Sequence, residues 1–299
     1  MAPAAAPHAL PPSAASQAAI KAVTPLVDRH GPRIHALALR LCRNAADADD
    51  LVQDVFLQAL RKWHTFRGEA DPGTWLYAIA ARACKARIRS NKRHIARQVP
   101  VSQLMPWTET TVTQLAAAKD DTQHNAQRAE AVARVQSHIA RLPEHLRLPV
   151  VLKEVLERSV EEVATLLDLS PNTVKTRLHR ARLALRKAMT AAAPAVAAPA
   201  PIFEKQVCLD LLKAKMEAMD RGGAAAGSIV PQADLCARCR AVFREFDLVQ
   251  DACAQLAKGS MPSALRTKVL NALRQRAEAE AAHAPRKRGR KPIRRSPNR

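Results

Sequence analysis

Apolar positions in this chain recur every three or four residues and almost never alternate, the pattern of helices packed through one face. Leu51, Val55 and Leu57, with Val52, Phe56, Ala59 and Leu60, make one such face. Asp47, Asp49, Asp50 and Asp54 gather at its start, where carboxylates suit the positive end of a helix. A loop from Gly68 to Gly73 leads to a third helix, which Thr74 is expected to cap. That helix turns from apolar to basic through Arg82, Lys85, Arg87, Arg89, Lys92 and Arg93. Further helices are expected over Ala129–Leu142 and over Leu146–Glu157, with Pro149 in the first turn of the latter. A pair follows over Ser159–Met189, then helices over Phe203–Met219, Ala241–Leu256 and Pro262–Ala282. The fold class read from this pattern is all-α.

Stretches without periodicity divide the chain. Residues 1–19 are Ala/Pro-rich, lack the basic start and compact apolar run of a signal peptide, and read as a disordered leader. Residues 20–95 form a first block, 96–127 a polar linker, and 128–189 a second block. Residues 190–201 are an Ala/Pro linker, 202–282 a Cys-containing helical block, and 283–299 a basic tail. No run approaches the roughly eighteen apolar residues of a membrane span, so no membrane role is expected.

The pair at 159–189 carries the clearest chemistry. Ser159 and Glu162 have the spacing of a capping box, and Val160, Val163, Ala164 and Leu167 give the first helix an apolar face. Ser170 followed by Pro171 restarts the chain as cap and first helical residue. Val174, Leu178, Ala181 and Leu185 turn the second helix inward, which leaves Thr173, Lys175, Thr176, His179 and Arg180 outward. Such a helix-turn-helix reads base edges with its leading residues and holds phosphates with Arg and Lys further along, here including Arg177 and Arg182. A solvated basic surface helix would not need the cap, the turn and the charge to agree.

Charge and composition narrow the partners. The formal net charge is +21, which favours nucleic acid or an anionic membrane surface as partner, and aromatics are 3% of residues, which leaves a core of Leu, Val, Ile and Ala. Trp63, Phe66, Trp75 and Tyr77 nevertheless concentrate around the Gly68–Gly73 loop.

The segment RLPEHLRLPVVLKEVLERSVEEVATLLDLSPNTVKTRLHRARLALRK resembles region 4 of bacterial sigma factors, and VKTRLHRAR is characteristic of the extracytoplasmic-function group. DADDLVQDVFLQALRKWHTFRGEADPGTWLYAIAARACKARIRSNKR is similar to region 2 of the same family. The resemblance implies a non-enzymatic, cytoplasmic and nucleoid-associated subunit that brings core RNA polymerase to promoter DNA. It implies polymerase binding through Asp49, Asp50, Gln53, Asp54 and Gln58. It implies engagement of the −10 element through Trp63, Phe66, Arg82, Lys85 and Arg89, and of the −35 element through Thr173, Lys175, Thr176, Arg177, His179, Arg180 and Arg182. Three positions depart from the family: Asp168 stands where Gly usually precedes the turn, and Arg82 and Ala86 stand where Asn and Asp usually read the −10 element.

Two features lie outside that likeness. Cys208, Cys236 and Cys239 are spaced as thiolates that could share a tetrahedral ion, zinc or another soft metal. Their layout resembles a zinc-binding anti-sigma fold, in which a His precedes the pair where Gln232 stands here. That implies masking by the chain's own C-terminal block, or by a separate anti-sigma partner. A fourth thiol, Cys253, is expected about 21 Å along an unbroken helix from Cys239. Such thiols could equally act as a redox switch, or lie buried without function. The tail segment RKRGRKP resembles an AT-hook, with Arg288, Gly289 and Arg290 placed for a narrow minor groove. A generic polybasic tail would bind any phosphate backbone. The rival to a sigma factor is a polymerase-independent helix-turn-helix regulator, which leaves the acidic helix at 47–54 without a partner. A CxxC oxidoreductase or zinc hydrolase lacks acid–base residues beside the cysteines.

Overall fold

A computed structural model describes residues 12–42, 44–68, 71–90, 100–113, 121–191, 194–222 and 235–282. Ten α-helices and one two-stranded ribbon account for the order in these residues, as the all-α reading expects.

Three helices build the first block: α1 (Pro12–Leu41), α2 (Ala45–Lys62) and α3 (Pro72–Ser90). The first starts within the segment expected to be a disordered leader, because Ala is the strongest helix former and Pro12 sits at the tolerated first position. Asn44 caps α2 by accepting the Asp47 N–H at 2.7 Å. Asp71, not Thr74, caps α3, its carboxylate accepting the Thr74 N–H at 3.3 Å. Val23, Val27, Ile34 and Leu37 of α1 meet Leu51, Val52, Val55 and Phe56 of α2 and Leu76 and Ala80 of α3 in a closed core.

The second block holds α4 (Asp121–Arg141), α5 (Glu144–Val150), α6 (Val160–Leu167) and α7 (Pro171–Thr190). Pro149 lies beyond the first turn of α5, contrary to expectation. With no N–H to donate, it is followed by one wide turn over Val151–Val155, where Leu156 N–H reaches Val151 O at 3.0 Å.

The two linkers find each other. β1 (Thr111–Thr113) pairs antiparallel with β2 (Ala195–Ala197), Val112 opposite Val196. The segment before β1 forms short 3₁₀ turns at Val101–Leu104 and Pro106–Thr108.

The C-terminal block contributes α8 (Lys205–Arg221), α9 (Ala237–Leu256) and α10 (Ser263–Ala282). Val249, Ala252, Cys253 and Leu256 of α9 and Leu265, Val269 and Leu273 of α10 enter the same apolar core as the first two blocks. The blocks expected to be held apart by the 96–127 linker therefore share one interior. Arg158, just before α6, lies over the Tyr77 ring of α3 with its guanidinium carbon 5.3 Å from the centroid. A smaller core joins Leu183 of α7 to Leu104, Val112, Leu212, Met216, Val242 and Phe246.

Candidate polymerase and nucleic-acid interfaces

Helix α2 presents its acids along one edge, and the chain itself partners them. His35 Nε2 stands 3.3 Å from Asp49, Arg87 Nη2 stands 3.0 Å from Asp54, and Arg87 Nη1 also donates to the Asp47 carbonyl at 2.6 Å. Asp50 is paired from the far end of the sequence, by Lys268 Nζ of α10 at 3.1 Å. Gln53 and Gln58 are half-buried beside them, and Asp54 is exposed.

At the other end of α2, three rings form one half-buried group. Trp63 and Phe66 stack at 5.1 Å, Trp63 meets Trp75 edge-on at 5.7 Å, and Phe66 meets Trp75 at 5.5 Å. Gly68, in the loop that follows, has φ +74°, a conformation that favours a residue without Cβ. Arg82 is exposed and Lys85 half-buried on α3; the Arg89 side chain lies outside the described residues.

The helix-turn-helix is built as its sequence reads. Ser159 Oγ accepts Glu162 N–H at 3.0 Å while the Glu162 carboxylate accepts Ser159 N–H at 2.7 Å, the reciprocal capping box. Asp168 takes the left-handed turn at φ 57°, so it does the work of the usual Gly. Ser170 Oγ accepts Thr173 N–H at 3.2 Å and Pro171 opens α7. Lys175, Thr176 and Arg180 are exposed, and Thr173, Arg177 and His179 are half-buried. Burial, then the Arg182 and Arg180 cations, outweighs Asp220 and holds the His179 imidazole below its ordinary pKa.

Arg182 corrects the sequence reading. The sequence puts it on phosphates, yet its side chain is 1% exposed. Its Nε and Nη2 donate to Glu154 Oε1 at 2.8 and 2.6 Å, and Nη1 donates to Asp220 Oδ1 at 2.6 Å. Desolvation opposes its charge, but the two carboxylates more than compensate and raise its pKa. One turn on, Arg186 is fully buried and donates to Glu245 Oε2 at 2.7 Å and Glu109 Oε1 at 2.6 Å. Thus α8, α9 and the first linker supply acids to one flank of α7, while the leading face of that helix stays open. These pairings were invisible in sequence because Glu109, Asp220 and Glu245 lie far apart in the chain and in no motif.

Cys208, Cys236 and Cys239 do come together. Cys236 caps α9 by accepting Cys239 N–H at 3.3 Å, and the Cys239 thiol donates to Cys208 Sγ at 3.7 Å. Burial raises the Cys239 thiol; at Cys236 burial is outweighed by hydrogen bonds from Cys239 and nearby N–H groups, and the thiol is lowered. Zinc–thiolate bonds of about 2.3 Å in a tetrahedron set two sulfurs about 3.8 Å apart, so the Cys208–Cys239 separation fits one edge. Among the described residues, however, no three His, Cys, Asp or Glu side chains converge as a metal requires. Cys253 is buried at the far end of an unbroken α9, and Gln232 lies outside the described residues, as do Arg288, Gly289 and Arg290.

Comparison with known proteins agrees with the two folded blocks. Family models of sigma-70 region 2 and sigma-70 region 4 match residues 26–94 and 133–185. The RNA polymerase sigma factor CarQ of Myxococcus xanthus is 36% identical over 166 residues, 54% of this chain and 86% of that protein. The chain belongs to the extracytoplasmic-function group of RNA polymerase sigma factors. The sigma factor SigW of Bacillus subtilis is 32% identical over 54% of this chain and 86% of its own length, and SigM of Mycobacterium tuberculosis 33% identical over 54% and 74%. As a sigma factor, the chain directs RNA polymerase to promoters and initiates transcription with core polymerase and promoter DNA as partners. Among the described residues no helix is long and apolar enough to cross a membrane. The region 4 match ends at 185, before α8, α9 and α10 begin.

Proposed function

We propose that the C-terminal helices are a built-in restraint that keeps this sigma factor off core polymerase until they are loosened. The carrying observation is that α10 lies along α1 and α2, with Lys268 on Asp50 and Arg266 Nε and Nη2 on Asp28 at 2.6 and 3.1 Å. Asp50 belongs to the acidic edge, with Asp49, Gln53, Asp54 and Gln58, that we assign to polymerase binding. A helix covering that edge competes with polymerase by occupancy, and its covalent tether keeps the local concentration high. The buried acids on Arg182 and Arg186 anchor the rest of the block to α7.

Within this reading we keep the division expected from the sequence, with α1 reaching into the leader and α4, from Asp121, into the first linker. Trp63, Phe66, Arg82 and Lys85 contact the −10 element, and Thr173, Lys175, Thr176, Arg177 and Arg180 contact the −35 element. Support for the latter is their exposed or half-buried place at the start of α7. Arg288, Gly289 and Arg290 add minor-groove contact, a role supported by sequence alone. The thiol cluster lacks a complete ligand set among the described residues, so no step is assigned to zinc.

The test removes or loosens α10, whose Leu265, Val269 and Leu273 enter the shared core, and leaves α9 in place. A chain ending at Lys258, and a full chain carrying Val269→Asp and Leu273→Asp, are titrated against core polymerase. Tighter binding by about tenfold or more in both, with increased run-off transcript, is expected. Affinity unchanged from the full chain in both would sink the restraint.

A further inference from the structure

A cavity of about 280 Å³ opens where the two linkers meet helices α8 and α9. Trp107 of the first linker, Phe203 at the end of the second and Phe243 of α9 line it, together with Leu212 and Val242. The chain has only five Phe, three Trp and one Tyr, so three aromatic rings around one cavity are a concentration. Phe203 is 38% exposed, and the aromatic lining therefore reaches solvent. Two cations complete the lining, Lys205 in the first turn of α8 and Arg238 in the first turn of α9. Among the described residues no Asp or Glu lines the cavity, and burial raises the Cys239 thiol on its wall, which stays neutral. Arg238 Nη2 donates to the carbonyls of Pro106, Trp107 and Glu109 at 3.2, 3.1 and 2.7 Å. Those bonds fix the guanidinium and leave its Nε and Nη1 hydrogens for another acceptor. Lys205 is exposed, and the lysine ion pairs among the described residues belong to Lys215 and Lys268. Both cavity cations stand at the positive ends of helices, which adds to their pull on an anion.

We propose that this cavity binds a small aromatic carboxylate, its ring among Trp107, Phe203 and Phe243 and its carboxylate at Lys205 and Arg238. Each part of the lining selects for one part of that ligand. A flat ring meets aromatic side chains through offset or edge-on contacts that a flexible aliphatic chain does not make. A carboxylate takes charge-assisted hydrogen bonds from guanidinium and ammonium that a neutral analogue lacks. Ligand pockets run upward from roughly 300 Å³, so the volume limits the occupant to one or two rings. A bare inorganic anion would gain nothing from the apolar walls. Such a ligand touches both linkers, α8 and α9 at once, and so favours the chain in which those four segments are assembled. Leu212 and Val242 also belong to the small core that holds Leu183 of α7. Bound ligand therefore steadies the C-terminal block on α7 and strengthens the restraint; that last consequence rests on the restraint reading, whereas the binding does not.

The experiment titrates the reduced full chain by calorimetry with naphthoate, with the neutral alcohol naphthylmethanol and with octanoate. One naphthoate per chain is expected, bound at least tenfold tighter than either comparator. Lys205→Glu, a change at an exposed position, should weaken naphthoate at least tenfold and leave the neutral alcohol unchanged. Phe203→Ala should weaken both, and circular dichroism checks that the two variants keep their helices. No saturable binding of naphthoate would overturn the site. Equal affinity for the neutral alcohol would overturn its preference for an anion, and octanoate bound as tightly as naphthoate would overturn the aromatic assignment. Unchanged naphthoate affinity in Lys205→Glu would remove this cavity as the place of binding. In a separate titration, saturating naphthoate should weaken the binding of the full chain to core polymerase several-fold; no change there would overturn the link to the restraint. Calorimetry involves no polymerase, so the site and the restraint fail separately.

Discussion

Arg182 of the DNA-reading helix and Asp220 of the C-terminal block stand 2.6 Å apart, with the arginine 1% and the aspartate 11% exposed. Charges taken this far from water depend on one another. Arg182→Met leaves Glu154 and Asp220 facing each other without a cation, a change of the kind that costs about 3–5 kcal/mol. Glu245→Gln should cost less, on the order of 1–2 kcal/mol, since Arg186 keeps Glu109. Urea unfolding of the two variants checks the order; equal midpoints would mean that the pairs do not bear on stability.

Four histidines make stability fall with acid. His30, His138, His145 and His179 each have their pKa lowered, in every case chiefly by burial, with neighbouring arginines adding to it. The sign follows from proton counts. Below the ordinary value near 6.5 the unfolded chain binds protons that the folded chain resists, so stability is complete above that pH and is lost as pH falls through it towards the lowered folded values. The melting temperature should therefore drop between pH 7.5 and 5.5, and His179→Gln should make the drop shallower. An unchanged slope would remove His179 from the acid response.

Much of this was legible in the chain, and the rest has a physical reason for being hidden. Local signals sit in adjacent residues: the Ser159–Glu162 box, the Ser170–Pro171 restart and the apolar faces of α2 and α7 all lie where sequence reasoning places them. Long-range contacts carry no local mark. Nothing near Lys268 announces Asp50, 218 residues away, and nothing near Glu109 announces Arg186, 77 residues away. Arg182 misled because a basic residue on a basic helix reads as a phosphate ligand, whereas its neighbour Leu183 places that flank in a second apolar core. The linkers also looked irregular because each strand is only three residues long and pairs with the other.

Asp168 pays a conformational cost that its turn requires. Its φ of 57° crowds a Cβ against the following carbonyl, a strain of about 1–2 kcal/mol for most residues and less for Asp. Asp168→Gly should raise stability by up to about 1 kcal/mol without changing promoter choice. Asp168→Val should lower it by more than that, because branching at Cβ worsens the same clash. Thermal melts of the two variants check the signs, and a stabilising valine would contradict the turn geometry.

The open face and the covered flank of α7 make opposite predictions for DNA. Arg180 is exposed, whereas Arg186 is fully buried against Glu109 and Glu245. An arginine that neutralises a phosphate contributes about one unit to the slope of log affinity against log salt. Arg180→Ala, assembled with core polymerase on a promoter duplex, should therefore weaken binding and reduce that slope by about one. Arg186→Met should leave the slope of the assembled complex unchanged if its flank faces protein there too. A loss of slope in Arg186→Met, measured by filter binding across salt, would instead mean that the C-terminal acids give up Arg186 to phosphate when polymerase binds. In that outcome Glu109 and Glu245 act as stand-ins for the DNA backbone, and Glu245→Gln should then raise promoter affinity.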